Sequence, residues 1–277
     1  MSKPGLNLHS QARQLHEENE TLRAELARLL AEAHDLWHIV RPNLIALYHT
    51  KIGAWELKLL QTMYHAAQLK RTIELSQAAL NRNESPDWQG IEEQIQRELV
   101  HWQQQIAEAV ERIKSAEARL RSLMSPAQDR QLKKLYHALV KALHPDLHPD
   151  LTEDQQRMWL RVQDAYDRGD FEELRALALV VKQPEAAVPE LPSLDNLRLE
   201  QDKLRKHIAA TLAGLASIRQ TPPFPLQAQL QDEVWVAERR QEFETKRESY
   251  QAKAEALLAL LKTLRTTDRH DPRFGTN

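Results

Sequence analysis

The chain has 277 residues, 42% hydrophobic and 28% charged, the balance of an ordinary globular protein of about two domains. Aromatic residues at 5% and only 6 glycines favour long helices over a sheet-rich domain, because strands draw on β-branched and aromatic side chains. Lys plus Arg (38) nearly cancels Asp plus Glu (40), which excludes a global field for nucleic acid, and the lack of cysteine excludes a disulfide scaffold, Cys-ligated zinc and thiol chemistry.

The opening MSKPGLNLHS lacks the apolar core of a signal peptide, and no run approaches the length of a membrane span. The expectation is a cytoplasmic chain with no membrane and no nucleic-acid partner. Within residues 1–41, Leu15, Leu22, Leu29 and Leu36 form a heptad row, joined by Asn19, Leu26, Ala33 and Val40. These are the a and d positions of an N-terminal coiled coil, in which Asn19 can set register. The seam has no obvious partner in the chain, which predicts a homo-oligomer. Pro42 interrupts or restarts the helix.

Residues 42–124 read as an antiparallel helical hairpin. Ile52, Trp55, Leu59, Ala66, Leu69 and Ile73 make one stripe, and Ile95, Leu99, Trp102, Ile106 and Ile113 another. Between them NRNESPDWQG collects turn formers, with Pro86 able to open a helix after Ser85. Trp55 and Trp102 are expected as core knobs. Such an arm buries a seam and encloses no active site.

A compact unit with different grammar follows over 125–182. Ser125-Pro126 is a helix start, with Leu132, Leu135, Tyr136, Leu139 and Leu143 at helical spacing. Lys133, Lys134, His137 and Lys141 supply its basic outer face. Pro145 ends the helix, and Thr152 with Gln155 is a capping box for the next. That helix carries Trp159, Val162, Ala165 and Tyr166 and stops near Gly169. A short third helix begins with Glu172 and Glu173, expected to face away from the unit. Residues 183–193, with Pro184, Pro189 and Pro192, read as a Pro-rich linker. Residues 194–267 read as a C-terminal helical hairpin broken at TPPFPL, and 268–277 as a frayed tail.

The loop of the compact unit holds His-Pro-Asp twice, at His144-Pro145-Asp146 and His148-Pro149-Asp150. Two helices joined by such a loop resemble the J domain, the DnaJ family's module for engaging DnaK-type chaperones. In that family a tyrosine stands eight residues and a leucine five residues before the loop histidine. In YHALVKALHPD, Tyr136 and Leu139 stand at those distances from His144, whereas eight before His148 is Val140. The family's next helix reads aromatic, aliphatic, Ala-Tyr, and WLRVQDAY repeats this with Trp159, Val162, Ala165 and Tyr166. The resemblance covers roughly residues 126–180. The family's short first helix has no match, the stretch at Leu120, Leu123 and Met124 standing in its place. Leu147 occupies the site of a common basic residue, and His137 that of a usual arginine.

Together, the heptad stripes and the resemblance lead to the expectation of an all-α fold in which coiled-coil arms flank a small J-like domain. It implies a co-chaperone that recruits a DnaK-type chaperone and stimulates its ATP hydrolysis, without being an enzyme itself. His144, Pro145, Asp146, Lys133, Lys134, His137 and Lys141 would meet that partner. Tyr136, Leu139, Trp159, Val162, Ala165 and Tyr166 would form the core of the unit. The arms would bind a protein client or set an oligomer. No catalytic residue, cofactor or metal is expected. His144, Asp146, His148 and Asp150 offer zinc ligands by type, but the two prolines deny the helical spacing on which paired histidines converge. The competing reading is a coiled-coil scaffold whose J-like module does not stimulate.

Overall fold

The computed structural model describes residues 4–181 and 192–270, with side chains over 10–181 and 192–266, and these residues are all-α without a strand. In chain order the helices are α1 (Pro4–Asp35), α2 (Arg41–Tyr48), α3 (Ala54–Asn81), α4 (Trp88–Glu98) and α5 (Val100–Arg121). They continue as α6 (Pro126–Leu143), α7 (Glu153–Arg168), α8 (Phe171–Val181), α9 (Leu194–Gln220) and α10 (Glu233–His270). Wider π turns occupy Leu36–Val40 and His49–Gly53. No described helix is long and apolar enough to cross a membrane. Residue 182, most of the expected linker (183–191) and most of the expected tail (271–277) lie outside the described residues.

Local chemistry sets the boundaries. Pro42 stands second in α2, directly after the π turn, so the helix restarts there. In the turn after α3, Asp87 rather than Ser85 is the cap: its carboxylate accepts the Gly90 N–H at 3.0 Å, and α4 begins at Trp88. The second arm is not one helix, because Leu99 (φ −100°, ψ 12°) breaks it between α4 and α5.

The helices sort into two compact units, one of residues 1–42 and 123–225, the other of 43–122 and 226–277. In the first, α6, α7 and α8 pack together, α1 lies against α6, and α9 runs along α1. One core joins them: Leu26 and Leu29 of α1, Leu204, Ile208 and Leu215 of α9, and the apolar faces of α6 to α8. The heptad seam of α1 therefore has partners within the chain, contrary to the sequence expectation. Asn19 is buried in that seam, its amide donating to the Leu197 carbonyl at 2.9 Å. Gln201 donates to Glu18 at 2.9 Å, and Arg23 pairs with Glu200.

In the second unit α3 packs chiefly on α10, through Ala66, Leu69 and Ile73 against Ala254 and Leu261. The hairpin expected over 194–267 is thus replaced by two longer-range pairings, α9 with α1 and α10 with α3. Leu204, Ile208 and Leu215 of α9 are buried in the core that holds Leu26 and Leu29 of α1, and Ala254 and Leu261 of α10 in the one that holds Ala66, Leu69 and Ile73 of α3, so each later stripe is filled by a helix earlier in the chain. Trp55 and Trp102 are half-buried rather than core knobs. Trp55 instead offers its face to the Arg240 guanidinium, 4.4 Å from the ring centroid, in a cation–π contact. Arg71 and Glu98 form a bidentate pair (2.6 and 2.9 Å), which holds the Glu98 carboxyl down at about 2.

Candidate functional site

Helix α6 starts on a complete capping box. The Ser125 hydroxyl accepts the Gln128 N–H at 3.3 Å, and the Gln128 side chain accepts the Ser125 N–H at 3.1 Å. It ends at His144, whose extended backbone (φ −70°, ψ 130°) is what a following proline demands. The chain then turns tightly, Leu147 and His148 both donating their N–H to the His144 carbonyl at 2.9 and 3.0 Å. Thr152 and Gln155 form a second capping box that opens α7, and Gly169 closes it in the left-handed conformation (φ 70°).

Tyr136, Leu139, Trp159, Val162, Ala165 and Tyr166 are all buried between these helices. His144 meets the Trp159 ring edge-on at 4.9 Å, while Tyr136, further from the loop, stacks on Tyr166 at 3.9 Å. That order of contacts is the pattern of an antiparallel pair. Burial pushes both tyrosine hydroxyls well above their ordinary pKa. Tyr166 donates to the Asp35 carboxylate at 2.9 Å, which ties α7 to the end of α1.

The loop divides its residues between anchor and display. His144 is half-buried, and burial lowers its pKa against the opposing pull of Asp146. Its Nδ1 accepts the Asp146 N–H at 3.1 Å. Leu147 is 8% exposed and joins the core cluster, so an apolar residue suits the position after Asp146. Pro145 and Asp146 are exposed. The second copy plays a different part, since His148 Nε2 donates to the Lys141 carbonyl at 2.8 Å and so caps the end of α6. Asp146 and Asp150 line one groove of about 840 Å³, whose other wall carries Arg23, Lys203 and His207.

The basic face of α6 meets α1. Lys133 lies 3.2 Å from both Asp35 and Asp129; burial opposes its charge, but the two carboxylates outweigh that and raise its pKa. Lys141 stands 3.9 Å from Glu20. His137, whose pKa burial lowers, sits in the fields of Asp35 and Arg28. Lys134 projects into solvent. Glu173 does not face away: it accepts from Arg161 at 2.9 Å and Arg168 at 2.8 Å, binding α8 to α7. Leu120 lies outside this unit, and Leu123 is exposed. The element that covers α6 is α1, far earlier in the chain, which no local sequence signal announces.

Sequence reasoning also missed a cluster at the junction of α1 and α7. His34 Nε2 lies 2.8 Å from Asp167 Oδ1, and His38 Nδ1 lies 3.3 Å from Asp167 Oδ2. The two imidazoles stack with centroids 4.2 Å apart. The signal available was the spacing HDLWH, two histidines four apart on a helix. No protein-family model, curated protein or solved structure matches this chain.

Proposed function

We propose that the chain is a J-like co-chaperone of the cytoplasm. It engages a DnaK-type chaperone through His144, Pro145 and Asp146, promotes that partner's ATP hydrolysis, and uses its remaining helices to hold a protein client. What supports this reading is the loop itself. His144 is held by Trp159 and Leu147 by the core, so the turn is rigid before any partner arrives, and the Asp146 carboxylate stands out from it. A preorganised charged group binds without the entropy cost of ordering a flexible loop.

One observation favours a second reading, a scaffold whose module does not stimulate. Carboxylates of α1 already answer Lys133 and Lys141, which reduces the positive face offered to an acidic partner. ATP hydrolysis by a DnaK-type chaperone, followed with and without the full chain, separates the two. The co-chaperone reading requires acceleration that weakens with salt and falls on Asp146→Asn. The scaffold reading requires none, whether or not the two proteins bind.

A further inference from the structure

We infer that His34, His38 and Asp167 form a binding site for a divalent transition metal, with Zn²⁺ the ion their chemistry fits. One donor atom from each of the three residues lies within 4.8 Å of the other two. Two imidazoles and one carboxylate are a recurring zinc set that leaves a fourth, tetrahedral position for water. The same set with open positions also suits other first-row metals, among which zinc needs no redox partner.

Two further features point to a built site rather than a chance cluster. The first is the backbone. His34 stands in the last turn of α1, and His38 lies in the π turn Leu36–Val40 that follows; such turns concentrate at functional positions because they re-aim side chains. Here the turn stacks the two rings at 14° between their planes and brings Nε2 of one and Nδ1 of the other to opposite oxygens of the same carboxylate.

The second is the surroundings. The His34 side chain is only 12% exposed, backed by the rings of Tyr136 at 5.1 Å and Tyr166 at 5.7 Å, so its orientation is fixed before an ion arrives. Asp35, held by Tyr166 and Lys133, adds negative charge beside the site. His38 and Asp167 are partly open to solvent, which leaves an entry path. The bound ion would join the end of α1 to the end of α7.

The test is isothermal titration of Zn²⁺ into the full chain after chelator treatment and dialysis, alongside His38→Ala, Asp167→Asn and a remote His101→Ala control. Circular dichroism checks that each variant stays helical. A one-to-one isotherm in the micromolar range supports the site if both cluster variants weaken it by at least about tenfold and His101→Ala does not. Zinc should also raise the melting temperature of the unsubstituted chain by about 5 °C at a hundredfold excess over Kd, but not that of His38→Ala. A flat isotherm through the micromolar range, or unchanged affinity in either cluster variant, overturns the proposal.

Discussion

His148 Nε2 donates a hydrogen bond to the carbonyl of Lys141 at 2.8 Å, so the second loop histidine caps the helix that the first one ends. The two His-Pro-Asp copies are therefore not equivalent, though they share a groove. His148→Ala removes a cap and leaves a helix-end carbonyl to water, at a cost of about 0.5–1.5 kcal/mol. The shift of the urea midpoint measures it. Asp150→Asn, at an exposed position of the same loop, should leave the midpoint unchanged.

Trp159 is the residue on which loop and core both depend. Its ring lies 6.1 Å from that of Tyr136 and 4.9 Å from that of His144. Trp159→Ala opens a cavity under both and should cost about 3–5 kcal/mol, read by denaturant unfolding of the full chain. Trp159→Phe, which keeps an aromatic surface for both neighbours, should cost less than half as much.

Stability should depend on His144 in mildly acidic solution. Burial lowers the pKa of His144 below its usual 6.5; Asp146 opposes this, while His34 and His148 add to it. Below 6.5 the unfolded chain takes up a proton at this residue before the folded chain does. Stability from keeping His144 neutral is therefore complete above that value and lost as pH falls through the folded pKa. The urea midpoint should drop between pH 7 and 5, and by less in His144→Gln. An identical slope in the two proteins contradicts the assignment.

What the sequence made legible was local. Capping at Ser125 and Thr152, the stop at Gly169, and the buried faces of Tyr136, Leu139, Trp159 and Tyr166 all follow from periodicity and short-range chemistry, which act within a few residues. Pairing of the long helices was not legible. The stripe of α1 is compatible with a second copy, with α6 and with α9, and the choice rests on contacts such as Asn19 to Leu197, 178 residues apart. Long separations in sequence likewise hid Asp167 from His34 and His38, and Asp35 from Lys133. A heptad identifies a seam; it does not name the partner that fills it.

If His144-Pro145-Asp146 acts on a DnaK-type chaperone, single-turnover ATP hydrolysis by that chaperone reports the action itself. The unsubstituted chain should accelerate hydrolysis. Asp146→Asn should abolish the acceleration, since loss of a docked, paired charge costs ~2–5 kcal/mol. The chemically identical Asp150→Asn, on the same groove, should retain it. No acceleration by the unsubstituted chain, or equal loss in the two variants, would rule out that role for the first His-Pro-Asp.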